Sequence, residues 1–218
     1  MKKKILVACL CVALAMLTIA GTTLAYLTSQ DKVENTFTVG KVAITLDEAK
    51  VDNLGNPLNE AGKPVDNVKA AHRQKANSYK LMPGHTYVKD PTVHVTAGSE
   101  KCYVFVKVEN GIANLESKAA GYKSIATQIT DNKWLSVSGE TGVYYQIVDA
   151  STSEKNIDLT VFSSFTLADD ANSHTDWSKS DIKVNVTAYA VQYDGFDNNL
   201  AGAWNAAKAA ANTTTPTT

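Results

Sequence analysis

Arginine is almost missing from this chain: Arg73 is the single one among 218 residues, and the 21 basic side chains face 22 acidic ones. Without a basic stripe to displace counterions, nucleic-acid binding is excluded as a working hypothesis. Cysteine is scarce too. Cys9 and Cys11 fall in an N-terminal apolar run, and Cys102 stands alone after it. No internal disulfide can therefore form downstream, and stability has to come from a packed core. Cys102 alternates with Val104, Val106 and Val108, the pattern of a small buried apolar residue rather than a nucleophile. No glycine-rich phosphate loop and no HExxH are present, and His72, His85, His94 and His174 show no i, i+4 pair. His94, between Val93 and Val95, is expected to point outward from a strand. Residues 52–60, "DNLGNPLNE", carry oxygen donors without calcium-loop spacing and read as a turn. The serines of "GSE" and "SSF" lack an identifiable base partner, and the sequon at Asn185 lies inside a strand pattern. The residues nominate no catalytic group, no metal and no cofactor.

What the chain does have begins at its N-terminus. Lys2, Lys3 and Lys4 precede the uncharged "ILVACLCVALAMLTIA", and Thr23 and Ala25 occupy the small-residue positions of a cleavage site. This is the layout of a secretory signal peptide over residues 1–25, with the cut between Ala25 and Tyr26. The competing reading is an uncleaved anchor, for which the apolar run is near the lower length limit. "LVAC", residues 6–9, leaves too little apolar sequence ahead of Cys9 for a lipoprotein signal. Removing 25 of the 218 residues leaves 193, enough for one domain with its own core, and takes the formal charge from −1 to −4.

Period-2 patterning dominates the remainder. In "DIKVNVTAYAVQY", Ile182, Val184, Val186, Ala188 and Ala190 share one face, which predicts a half-buried strand. "KCYVFVKVEN" alternates as well, but Tyr103 and Phe105 make its second face apolar, which predicts a central strand. "IDLTVFSSFTLA" reads as one strand with Leu159, Val161, Phe165 and Leu167 aligned, and "PTVHVTAG", "KWLSVSG" and "GVYYQIVDA" add shorter ones. The alternation through Phe37 and Val39 resumes out of phase at Val42, Ile44 and Leu46, so a bulge or junction is expected at Gly40–Lys41. "NNLAGAWNAAKAAAN" predicts a short helix burying Leu200, Ala203, Trp204 and Ala207 behind an asparagine N-cap, and "NGIANLESKAAGYKSIATQI" another turn or two. Residues 52–78 read as a long polar loop and 212–218 as a disordered tail, its sequon at Asn212 included. The expected fold is all-β: one antiparallel β-sandwich over residues 26–211, jelly-roll-like, with short helices in connections and near the C-terminus.

Residues 21–48, "GTTLAYLTSQDKVENTFTVGKVAITLDE", resemble the N-terminal signature of the TasA/camelysin family of secreted proteins of Gram-positive bacteria. The segments "LMPGHTYVKDPTVHVTAGSEKCYVFVKVEN" and "IKVNVTAYAVQYDGFDNNLAGAWNAA" are similar to later family blocks, whereas residues 110–165 match more loosely. The resemblance implies a jelly-roll-like sandwich, export with cleavage by an endoplasmic-reticulum-type signal peptidase, and a place in biofilm-matrix fibres or at the cell surface. It also implies that the segment freed by cleavage adds as a strand to the sheet of the next subunit.

Strand addition has a physical rationale here. A sandwich missing a strand exposes backbone donors and acceptors that an extended segment from a neighbour can satisfy. Residues 26–38 are the candidate donor, with Tyr26, Leu27, Val33 and Phe37 as anchors. Attached to an uncut signal they would be held at the membrane; once cut, they could join copies head to tail. The alternative is an ordinary first strand of the chain's own domain. The expected function is thus a secreted structural subunit, forming a homo-oligomeric fibre alone or with an accessory matrix subunit. Two other readings stay open: a camelysin-like surface metalloendopeptidase, and a monomeric surface-binding domain using Tyr144, Tyr145, Trp134 and Trp177 as a stacking platform.

Overall fold

In a computed structural model of the chain, residues 41–171 and 182–213 are described. Ten strands carry most of the regular structure, and the paired ones run antiparallel. One sheet holds β1 (Ile44–Ala49), β2 (Arg73–Gln74), β4 (Thr92–Val95) and β8 (Ile157–Thr160) in the order β2-β1-β4-β8. The second holds β5 (Cys102–Asn110), β6 (Leu135–Ser136), β7 (Val143–Val148) and β10 (Val184–Gln192) in the order β10-β5-β7-β6. A short ribbon pairs β3 (Thr86–Val88) with β9 (Ser164–Thr166). The all-β sandwich expected from the alternating pattern is what the chain forms.

The main core lies between the sheets. Val93 and Val95 of β4 meet Cys102, Val104 and Val106 of β5, all with no exposed surface, and Trp134, Phe162 and Leu167 fill the ends. Cys102 is the buried free thiol its alternation suggested, and burial, with the Asp149 charge adding to it, pushes its pKa up to about 11. The Trp134 indole N–H donates to the Thr160 carbonyl at 3.0 Å, so this ring is core and unavailable for stacking on a ligand. Helix α1 (Ile125–Asp131) closes one end by burying Ile125 and Ile129, and its N-cap Ser124 accepts from the Thr127 N–H.

A second core covers the other face of the β5 sheet. Tyr103 and Phe105 of β5, with Val143 of β7, pack against Ala203, Trp204 and Ala207 of α2 (Leu200–Thr213). Asn199 caps that helix, its side-chain oxygen accepting from the Gly202 N–H at 2.9 Å, as the sequence led one to expect. β5 is therefore buried on both faces and paired on both edges, the central strand its two apolar faces predict.

Two expectations need correcting. "IDLTVFSSFTLA" is two strands, because the chain leaves β4's edge after Thr160, turns through Val161–Ser163, and pairs again with β3 from Ser164. Its alternation persisted since Val161, Phe165 and Leu167 enter the same core from both sides of the turn. "KWLSVSG" supplies only the two-residue β6, with Leu135 exposed, because it lies at the sheet's outer edge.

Candidate functional site: an open strand edge beside a groove

β10 has one described partner. Gly111 N–H donates to the Lys183 carbonyl at 2.8 Å, and Tyr193 N–H to that of Lys101 at 2.8 Å. With the β5 register, these bonds place the odd-numbered residues of β10 in the hydrogen-bonded pairs. The backbone groups of Val184, Val186, Ala188, Ala190 and Gln192 therefore point away from β5, toward an edge on which no described strand pairs. Such an edge is nine residues long, free of proline, and built from β-branched and small residues, the features that favour addition of another strand.

Across from this edge lies β1. Thr96 N–H donates to the Ala43 carbonyl at 2.9 Å, so Thr45 and Asp47 bond to β4 while Ile44 and Leu46 turn their backbone groups away from it. The Leu46 carbonyl on this second free edge is held by the Lys75 ammonium at 2.6 Å. A lysine placed on an edge is a common guard against unwanted pairing.

Between the two edges runs a groove of about 680 Å³, with Leu46 of β1 on one side and Ile182, Val184 and Val186 on the other. These four side chains are only half-buried although they pack against the main core. Among the described residues no strand closes the sandwich seam along this line.

Charged side chains line the groove as well, among them Asp47, Glu48, Lys75, Lys89, Glu109 and Lys183. The Lys89 ammonium meets Glu48 at 2.6 Å, with side chains only 12% and 5% exposed. The other Glu48 oxygen accepts from the Asn77 amide at 2.8 Å, and that amide also donates to the Ala49 carbonyl at 2.8 Å. Tyr79 stands beside this pair; burial, then the Glu48 and Asp90 carboxylates, push its hydroxyl far above the ordinary tyrosine range. Sequence reading passed over this network. The available signal was Glu48, a carboxylate on the β1 face that carries Ile44 and Leu46.

The opposite face of β1 is braced by charge. Arg73 Nε reaches Asp47 at 2.7 Å and its Nη1 reaches Asp90 at 2.6 Å. His94 faces outward, as expected, and is clamped: Nδ1 lies 2.6 Å from Asp158 and Nε2 lies 2.9 Å from Asp47. Burial alone would lower the His94 pKa, but hydrogen bonds and charge from Asp47 and Asp158 outweigh it and raise the pKa above the ordinary value. Burial likewise pushes Asp47 up, and His94 and Arg73 more than reverse that. The lone arginine is a strand brace, a role its isolation in the sequence did not reveal.

Of the residues singled out from sequence, Ala25, Tyr26, Leu27, Val33 and Phe37, with Trp177 and His174, lie outside the described residues. Tyr144 and Tyr145 are half-buried on opposite faces of β7 and so make no shared platform with the buried Trp134. Among the described residues no group of three or more His, Cys, Asp or Glu side chains is placed to hold a metal ion. No described helix is long and apolar enough to cross a membrane.

Comparison with known proteins adds one finding. Residues 1–74 match the family model described as camelysin metallo-endopeptidase. This is consistent with the TasA/camelysin resemblance carried by residues 21–48. No curated protein and no solved structure matches the chain. The matched stretch spans the β1 side of the groove and contains one histidine, His72.

Proposed function

We propose that this chain is a secreted structural subunit of the cell surface or extracellular matrix that assembles by strand addition. The donor is the segment 26–38 of one copy, freed by cleavage between Ala25 and Tyr26. The acceptor is the open edge of β10 in the next copy. The observation that carries this reading is that edge: five residues whose backbone groups have no described partner, beside half-buried valines. A donor strand would pair with those groups and close the seam over Val184 and Val186. Thirteen extended residues, 26–38, reach about 43 Å, longer than the roughly 30 Å of the nine-residue β10. Contact between a terminus and a distant edge is heterologous, so it propagates into a filament when the rotation does not close a ring.

The test compares mature chain beginning at Tyr26 with chain carrying a few extra residues ahead of it, by negative-stain microscopy. Filaments from the first alone support strand donation by a free N-terminus. Uniform globules from both contradict it. The family description favours a second reading, a metallo-endopeptidase. Zinc bound stoichiometrically to purified protein, with chelator-sensitive casein cleavage, would establish that activity.

A further inference from the structure

The asparagine beside the Lys89–Glu48 pair is held more tightly than a loop residue needs. Asn77 Nδ2 donates to Glu48 Oε1 and to the Ala49 carbonyl, each at 2.8 Å. Its Oδ1 accepts from the Val51 N–H at 2.9 Å and from the Gln74 side-chain amide. Every donor and acceptor position of the carboxamide is thereby filled. Lys89 Nζ meets the other Glu48 oxygen at 2.6 Å, and the Glu48 side chain is 5% exposed. One buried carboxylate thus carries an amine on one oxygen and a carboxamide on the other. Two N–H donors already polarise the carboxamide carbonyl, the arrangement that stabilises an oxyanion. An ion pair alone, or a loop anchor alone, would account for only half of this set.

We propose that Lys89 and Asn77 join in an intramolecular amide bond, with Glu48 carrying the protons. Glu48 takes a proton from the ammonium, which removes two charges from a site largely shielded from water. The freed amine attacks Asn77 Cγ, a lysine Nζ acting as nucleophile. Negative charge gathers on Oδ1, where the Val51 and Gln74 donors lie. Glu48 passes its proton to Nδ2, to which it is already bonded, and the Cγ–Nδ2 bond breaks. Nζ gives up a second proton to the same carboxylate, and the leaving ammonia departs with it as ammonium. The balance is one ammonium and one carboxamide in, one secondary amide and one ammonium out. The step consumes no oxidant and no activated donor. The bond ties the segment ahead of β3 to the residue directly after it, and it does not depend on strand addition.

The test is mass spectrometry of the purified mature chain, intact and after trypsin. The wild-type chain is expected to be lighter than its sequence requires by the mass of one ammonia. Trypsin cannot cut after an acylated lysine, so residues 76–80 should appear joined to residues 81–101 as one branched species. Glu48→Gln keeps the shape of the side chain but cannot take the proton, and Lys89→Arg removes the nucleophile. Both variants are expected to show the full sequence mass and to release residues 76–80 unjoined. The wild-type result is decisive by itself even where a variant fails to fold. A wild-type chain of full sequence mass, with residues 81–89 recovered as a separate peptide, overturns the bond. Ammonia lost while those peptides stay separate, as from a succinimide at Asn77, overturns it as well. A joined species that persists in Glu48→Gln overturns the role given to the carboxylate.

Discussion

β5 and β10 are neighbours of equal length, nine residues each, paired along their whole extent, yet they end in opposite conditions. β5 has strands on both edges and apolar cover on both faces. β10 has one described edge partner, and its core-facing Val184, Val186 and Ala188 are only half-buried. Both have β-branched residues at alternate positions, so propensity does not separate them. What separates them is place in the sheet. A strand inside a sheet has its backbone bonds supplied locally, whereas an edge strand must be guarded or used. β1 is guarded, by Lys75. Nothing described guards β10.

The comparison can be broken by proline. Thr187 sits in a hydrogen-bonded pair with Lys107, while Val186 directs its N–H toward the open edge. Thr187→Pro is therefore expected to cost about 3 kcal/mol or more, read by denaturant unfolding. Val186→Pro is expected to cost much less in the monomer and to abolish assembly. If the two prolines destabilise the monomer equally, β10 has no free edge.

Truncations sharpen it. Val104 has no exposed surface, so Val104→Ala should cost about 2–3 kcal/mol for two buried methyl groups and the cavity they leave. Val186→Ala, on the half-buried side, should cost under about 1 kcal/mol in the monomer. In filaments, where the donor covers Val186, its penalty should grow and raise the critical concentration.

The smallest expected effect concerns the brace behind β1. His94 has a raised pKa in the folded chain, so its charge stabilises fully below the unfolded value of about 6.5 and that stability is lost as pH rises through the folded value. Asp47, lowered, stabilises above about 4 and loses its contribution on acidification. Melting temperature should thus be highest between roughly pH 4 and 6.5 as far as these two groups decide it, and should decline as the pH rises through the raised His94 value. His94→Gln should lessen that decline. An unchanged slope would show that the clamp does not stabilise the fold.

Much of the fold was legible because burial on one or two faces writes itself as alternation: β5, β10 and the Trp204 helix follow directly from their patterns. The break in "IDLTVFSSFTLA" was not legible, since Val161, Phe165 and Leu167 stay apolar on either side of a turn that changes partners. The groove was legible only by halves. Val184 and Val186 mark a half-buried strand, but which neighbour is missing depends on sheet order, which no local pattern encodes. The Lys89–Glu48 pair joins residues 41 positions apart, and Arg73 reaches Asp47 across 26. Such contacts exist only after the strands have been ordered.

The most direct measurement is residue-resolved hydrogen exchange on β10, in soluble mature chain and in filaments. The open-edge account expects the amides of Val184, Val186, Ala188 and Ala190 to exchange freely in the soluble chain and to be protected in filaments. The amides of Asn185, Thr187 and Tyr189 should be protected in both. Protection of the even-numbered amides already in the soluble chain, unchanged by dilution, would mean that the chain fills its own edge and would contradict strand addition between copies.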